Sequence, residues 1–560
     1  MSTRIAPPAP PAESTGGPPA TVGPRAWQAA AAGLVAAAVA LGAGELVAGL
    51  LRAPSPVIAV GDRVIDLVPG PVKDAAIALF GTNDKIALLA GILVLTAVLG
   101  VALGLAAVRR FPVGAAGLAL FGAVGVAAAL QDAQASPLEA VLPSLAAAAA
   151  GIAALALAVR AARLTAHPSG EDQRLAAVAT AAGVGDGAGD GTRTGAAPAW
   201  TPEPKGRRSF LRTAGGLLVV AAAAGAVGRG LGARATAVAS RAAVVLPRPR
   251  TAAAAVPTGA ALDIDGLSPF VTPNADFYRI DTALQVPQVD VTSWQLRVAG
   301  MVDTPLTFTL ADLLDRDLVE ADVTLACVSN EVGGGLVGNA RWLGIPLSEL
   351  LAEAGVQQGA TQIVGRSVDG FTVGFPTEVA LDGRDALVAV AMNGEPLPIE
   401  HGFPARLVVP GLYGYVSATK WLAEIELTTL EGFDAYWVPR GWAKEAPIKT
   451  QSRIDVPRGL ANLEPGRTAI AGVAWAQTRG IERVEVQVDD EPWQQARLAE
   501  VPGPDTWRQW VYEWDATPGQ HRIQVRATDA GGETQPEQRT APIPDGAAGW
   551  HSVVINVRES

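Results

Sequence analysis

Four runs of about twenty residues, 27–51, 86–108, 112–130 and 138–159, carry almost no charge, and this constrains the chain more than any other feature. An apolar run of that length crosses a bilayer as a helix, because a helix satisfies its own backbone N–H and C=O groups where no water is present. As soluble core helices they are unsuitable: apart from Glu45 they lack the polar residues that make a solvated face. Basic residues in short loops set orientation. Arg109 and Arg110 separate the second and third runs, and Arg160, Arg163, Arg174, Lys205, Arg207 and Arg208 follow the fourth, whereas 131–137 has no base. Both ends of this block (26–160) are therefore expected in the cytoplasm. The loop 52–85 would be external, and its four bases, matched by four acids, weigh slightly the other way. Glu45 is costly in hydrocarbon and marks either a functional position or, near the outer end of its run, a side chain that reaches the interface.

Composition changes along the rest of the chain. Residues 1–25 are rich in Pro, Ala and Gly without period and read as a disordered tail, and 161–205 is a polar, Gly-rich stretch that reads as a cytoplasmic linker. In 206–235, Arg207-Arg208-Ser-Phe-Leu-Arg212 precedes a mild apolar run and resembles a twin-arginine export signal; the same segment could remain as a fifth transmembrane helix. An Ala-x-Ala pattern at Ala237 and Ala239 offers a cleavage site. Beyond about residue 260 the composition is that of an ordinary globular protein. The net charge of -11 argues against nucleic acid as a partner. One cysteine allows no intramolecular disulfide, so cysteine usage does not report the redox compartment.

That cysteine, Cys327, is delivered by the apolar stretch 323–326 into a Gly-rich run, Val-Ser-Asn330-Glu331-Val-Gly-Gly-Gly335. A lone Cys is most often a small buried hydrophobe. Here the glycines leave too few bulky side chains to fill a core and let backbone approach a ligand. A thiolate in such a loop is a nucleophile or a soft metal ligand. With no second Cys and four His in the chain, an all-protein tetrahedral site is excluded. Any metal must arrive with most of its ligands attached.

The segment Cys-Val-Ser-Asn-x-Val-Gly-Gly-x-Leu-x-Gly-Asn-Ala-x-Trp-x-Gly-Ile-Pro-Leu resembles the sulfite oxidase family of molybdopterin enzymes, and the resemblance runs from about Leu262 to the C-terminus. It implies that Cys327 ligates molybdenum carried by the pterin's dithiolene. Three further stretches carry it. In Thr272-Pro-Asn274-Ala-Asp-Phe-Tyr278-Arg279-Ile-Asp281, Arg279 falls on the family's metal-facing Arg, with Asn274 and Tyr278 among residues that hold the pterin. In Glu400-His401-Gly-Phe-Pro-Ala-Arg406, the His and Arg imply contacts to the cofactor phosphate, which a guanidinium fork suits. Ser417-Ala-Thr419-Lys420-Trp421 resembles the family's Ser-x-Lys-Trp cofactor contact with one residue inserted, and Asp369 adds a pterin contact.

Between 262 and 444 the pattern is α+β. Residues 294–299 alternate as a strand, Thr309 caps a short helix through Leu314, and Pro346 and Ser348 open a helix that Gly355 closes. From 445 to 560 short alternating strands (484–488, 510–514, 523–527) with turn clusters between them predict an antiparallel sandwich. It resembles the family's immunoglobulin-like dimerisation domain, which implies a homodimer.

The expected protein is thus a multi-pass membrane oxidoreductase with an extracytoplasmic catalytic domain, exchanging an oxygen atom with a small S- or N-containing substrate. No Cys-x-x-Cys-His haem motif occurs, and no His lies in the apolar runs, so electrons are expected to pass to an external cytochrome or quinone. Other readings are a cofactor-free binding or scaffold module anchored to membrane lipid, a thiol hydrolase with His401 as base, and a true sulfite oxidase. Sulfite-oxidising members follow the Cys with Asn and two Arg, where this chain has Glu331 and Val332. Where they keep a Tyr near the metal, this chain offers Trp442, with Tyr436 or Arg440 there under a shifted alignment. The pocket is expected to suit a neutral sulfoxide or N-oxide better than sulfite.

Overall fold

The computed structural model describes residues 26–51, 53–69, 84–131, 137–164, 205–234 and 237–559, with a few isolated positions between 72 and 80. The expected tail (1–25), most of the expected linker (165–204) and the side chain of Arg207 lie outside the described residues. The chain divides into two compact units at Gly232 and Ala233.

The first unit is helical: α1 (Ala26–Leu51), α2 (Pro56–Leu67), α3 (Asp84–Arg109), α4 (Phe111–Ala129), α5 (Pro137–Leu164) and α6 (Lys205–Arg234). Five of these, all but α2, are long and apolar enough to cross a membrane. Their outward faces carry side chains such as Ile86, Leu93, Val98 and Leu120, a surface suited to lipid and not to water. The sequence reading treated 52–85 only as a loop; α2 forms there because Pro56 can occupy the first turn and Val57, Val60 and Val64 recur at helical spacing. Glu45 does not reach outward. It is 8% exposed, accepts a short hydrogen bond from Ser55 Oγ, and lies 3.7 Å from Arg229 on α6. α6 meets α1 backbone to backbone: a Cβ on Gly42 would lie 2.3 Å from the Ala221 carbonyl oxygen.

The second unit opens with α7 (Ala237–Ala243), which contains the Ala-x-Ala pattern and buries Ala237. Two sheets follow, the first mixed and the second antiparallel. The first runs β2 (Leu306–Phe308), β1 (Leu296–Gly300), β10 (Leu422–Thr428), β5 (Gln362–Ser367) and β6 (Thr372–Pro376), with β1 and β10 parallel. The second runs β3 (Val319–Ala326), β4 (Val337–Pro346), β7 (Leu387–Met392) and β8 (Glu395–Pro396), with β9 (Arg406–Val408) also paired to β7. Local chemistry explains the short helices. Thr309 caps α8 (Leu310–Leu314) in a reciprocal box with Asp312, and Gly355 ends α9 (Leu347–Ala354) at φ 69°, a left-handed conformation that a side chain would strain. Trp342 and Trp421 are buried in the shared core and place their neighbours Arg341 and Lys420 at its edge.

Residues 451–557 form two more sheets. One is β11 (Gln451–Val456), β13 (Gly466–Trp475), β17 (Arg508–Ala516) and β16 (Arg497–Leu498). The other is β12 (Asn462–Leu463), β19 (His551–Val557), β18 (Gly519–Asp529), β14 (Ile481–Val488) and β15 (Gln494–Gln495). Their inner faces share one apolar core, with Ile470 and Trp510 from the first sheet against Val484, Ile523 and Ile555 from the second. Alternation of inward apolar and outward polar residues along β14 and β18 produces that arrangement.

Candidate active site

β3 pairs antiparallel with β4 over its whole length, from Val319 opposite Gly344 to Ala326 opposite Val337. The strand therefore stops where the glycine-rich loop begins, and Cys327 is the first residue past it. Its amide donates to the Leu336 carbonyl (2.9 Å), and the Asn330 side chain accepts from Leu336 N (2.8 Å), so the loop is braced across its neck. Cys327 is 8% exposed and lines a cleft with Phe277, Tyr278, Ser367, Tyr415 and Trp437. Burial pushes its pKa up, while hydrogen bonds from Ser329 and the charge of Lys420 pull it down.

Three basic side chains reach the same cleft. Arg406 begins β9, is 5% exposed, and donates from Nη1 to the His401 carbonyl (3.1 Å) with its guanidinium 4.9 Å from the Trp342 ring. Among the described residues it has no carboxylate partner, and burial lowers its pKa to about 10. His401 is 3% exposed and edge-on to Phe277; its Nε2 lies 3.0 Å from the Asn274 carbonyl oxygen and therefore carries the proton. Burial, with smaller contributions from Arg406 and Lys420, drops its pKa to about 4. Lys420 donates to Asp281 (3.0 Å) and lies 4.6 Å from the Trp421 ring; burial lowers its pKa to about 8 against the pull of Asp281. Tyr278 stacks on Phe277, and burial raises its phenol, with the Cys327 charge adding to the shift. Asp369 lines the cleft from a tight turn in which it accepts from Phe371 N (3.1 Å).

Cys327, Tyr278, Asp369, His401, Arg406 and Lys420 thus converge. The other expected residues do not line the cleft. Arg279 lies beside the lining and not in it: its side chain is 42% exposed and paired at 2.8 Å to Asp281, which lines the cleft together with Ile280. Glu331 is exposed on the cysteine loop, outside the lining. The Asn274 side chain is committed to Glu395 (2.5 Å) and Asn393 (2.8 Å), and only its carbonyl serves the site, through His401. Ser417 turns its hydroxyl to the Tyr413 carbonyl (3.1 Å). Thr419 Oγ1 is buried with no hydrogen-bond partner. Trp442 stands behind the lining, packed on Tyr415 (5.6 Å) and Trp437 (6.3 Å), which do line it. Sequence reasoning missed Ile280, Phe371, Tyr415 and Trp437. Ile280 lies inside the 272–281 stretch and Trp437 follows Tyr436, but neither was singled out.

Residues 283–437 match the model of the oxidoreductase molybdopterin binding domain. Sulfite oxidase of Gallus gallus is 30% identical over 323 residues, covering 49% of this chain and 70% of that protein. The chain belongs to the sulfite oxidase family. The mitochondrial sulfite oxidase of Homo sapiens is 31% identical over 323 residues, which are 49% of this chain and 58% of the human protein. This sulfite oxidase family member thus spans less than two thirds of the length of that relative. Among solved structures, the sulfane dehydrogenase SoxCD of Paracoccus pantotrophus is 26% identical, with a TM-score of 0.46, over 52% of this chain and 85% of that one. Within the family member described here, the cleft residues fit a molybdopterin. A buried, carboxylate-free guanidinium costs several kcal/mol of lost hydration unless an anion joins it. A phosphate beside Arg406 supplies one, and the buried Cys327 thiol in the same cleft supplies a soft donor.

Proposed function

We propose that this protein is a membrane-anchored molybdenum oxidoreductase acting on a small neutral S- or N-containing substrate and exchanging electrons with an external carrier, which supplies two electrons when the substrate is an S- or N-oxide. The observation that carries the proposal is Arg406, a buried cation without a carboxylate, on the same cleft as the buried Cys327 thiol. When bound, the molybdenum–pterin group supplies oxygen-atom transfer coupled to two electrons. Cys327 is its ligand from the protein, Arg406 and Lys420 its anion partners, and His401 a neutral donor or acceptor beside them. Tyr278 and Asp369 border the pterin. Thr419, with its unpartnered hydroxyl, and Ser417 are second candidates.

The lining of the cleft sets the substrate class. Ile280, Phe371, Tyr415 and Trp437 give the lining an apolar, aromatic part. Arg279 is already neutralised by Asp281 and Glu331 is exposed, so neither adds a free cation to Arg406 and Lys420 to offset the loss of water around a dianion. A sulfoxide or N-oxide, neutral overall with one strong acceptor, fits such a lining.

The four apolar helices α1, α3, α4 and α5 support a multi-pass anchor, and α6, with its Arg229 beside Glu45, supports a retained fifth span. The catalytic domain (262–444) and the immunoglobulin-like domain (445–560), which would dimerise the protein, then lie outside the cytoplasm. The test is metal and pterin content of the purified protein, followed by turnover of S-oxides, N-oxides and sulfite. Molybdenum at one per chain with S- or N-oxide turnover supports the reading; a metal-free protein, or rapid sulfite oxidation, rejects it.

A further inference from the structure

Two sets of contacts from residues 445–560 converge on the loop and strand that carry Cys327. The first is on β3. Thr324, three residues before Cys327, gives its amide proton to the Asp505 carbonyl (2.9 Å). Its hydroxyl accepts from Trp507 N (2.7 Å), and its carbonyl accepts from Gln477 Nε2 (2.8 Å). Thr324 is fully buried, so each of these bonds satisfies a group that water cannot reach.

The second set grips the glycine loop. Arg453 on β11 is 8% exposed, and its three nitrogens all donate: Nε to Asp455 (2.6 Å), Nη2 to Ser268 Oγ (2.8 Å) and Nη1 to the Gly334 carbonyl (2.8 Å). Asp455 in turn accepts from Ser268 N (3.1 Å), so the guanidinium is held on two sides before it reaches the loop. His551, first residue of β19, lies against Gly333: a Cβ there would sit 2.3 Å from the imidazole. Its Nδ1 accepts from Ile454 N (3.0 Å), which fixes the ring plane. Gly333 has φ 82°, so a residue with a side chain is disfavoured both by conformation and by the ring.

We propose that Arg453 and His551 are positioning residues for the metal site: they clamp the 333–335 loop from the C-terminal domain and so fix where the Cys327 sulfur points. The C-terminal domain is then part of the active-site scaffold in addition to any part in dimerisation. Neither residue touches the cleft. Their effect passes through the loop backbone, whose Asn330–Leu336 and Cys327–Leu336 bonds leave it little freedom once Gly334 is held. The inference rests on Cys327 being the protein's ligand to the metal, but its first readout does not require metal.

Because Cys327 is the only thiol in 560 residues, a maleimide reports its accessibility alone. In full-length protein produced without the cofactor, Arg453→Ala should label at least ten times faster than wild type, with Arg453→Lys within threefold. His551→Ala should label at least three times faster. Val484→Ala, which weakens the C-terminal core without touching the loop, Arg453 or His551, should stay within twofold. In the loaded protein, the Mo(V) electron paramagnetic resonance signal of Arg453→Ala should shift and broaden at unchanged metal content, and Arg453→Lys should restore it. If Arg453→Ala does not fold, Ser268→Ala removes one tether of the same guanidinium and should label at least threefold faster. Labelling of Arg453→Ala, or of Ser268→Ala in its place, within twofold of wild type overturns the clamp, as does equal acceleration in Val484→Ala. Loaded wild type without molybdenum would reject the proposed function and leave the labelling result readable.

Discussion

Arg406 Nη1 donates to the main-chain carbonyl of His401 at 3.1 Å, and so the two basic side chains that face one end of the cleft are locked to each other through backbone. Neither can swing to solvent: they are 5% and 3% exposed. A cation held in this way waits for an anion. Arg406→Ala should therefore lower molybdopterin occupancy at least tenfold, since a charged hydrogen bond is worth about 1.5–3 kcal/mol and this guanidinium offers more than one. Arg406→Lys should recover part of it. Molybdenum content equal to wild type in Arg406→Ala would contradict the assignment.

Acid should destabilise the cofactor-free protein through His401. Its folded pKa, about 4, lies below its unfolded value, so the stability it contributes is fully present above about pH 6.5 and is lost as pH falls through 4. The amount is about 2–3 kcal/mol. His551, also lowered to about 4 by burial, adds to the same trend. Thermal unfolding between pH 7.5 and 4 should show a smaller acid loss in His401→Gln than in wild type. Identical curves would mean that the ring is not buried neutral.

Substrate charge preference should follow residue 280 and not residue 331. Ile280→Arg places a guanidinium on the cleft and should raise kcat/KM for sulfite about tenfold, the worth of one charged hydrogen bond. Glu331→Arg, on an exposed part of the loop, should change it less than twofold. The reverse order would show that the loop folds over the cleft during turnover.

How much of this was legible in the sequence depends on the range of the interaction. The Thr309 cap, the Gly355 stop and the arrival of Cys327 at the end of an apolar strand are local, and each occurs where the residues indicated. Arg279 is named by resemblance alone; 272–290 is irregular backbone, with no period to say which of two neighbours faces inward, and here Ile280 lines the cleft while Arg279 pairs with the lining residue Asp281. Glu331 is exposed on a loop whose course is set by contacts to residue 336 and to Arg453, which local sequence does not reveal. Tyr415 and Trp437 reach the cleft from segments far from Cys327 in sequence. The grip of Arg453 and His551 on 333–335 spans 119 and more residues, which no local pattern encodes.

Topology can be tested at the paired arginines. A reporter active only outside the cytoplasm, fused after Ser560, should be active, and Arg207→Lys with Arg208→Lys should silence it while α1, α3, α4 and α5 remain inserted. Activity in the double variant would reduce the pair to flanking charge.

The most direct test of the central claim is molybdenum K-edge absorption of the purified protein beside its Cys327→Ser variant. The account predicts one sulfur neighbour fewer at the metal in the variant, at equal molybdenum content, with turnover lost because oxygen replaces a softer donor. Equal sulfur counts in the two proteins, or turnover of Cys327→Ser within a few-fold of wild type, would contradict it.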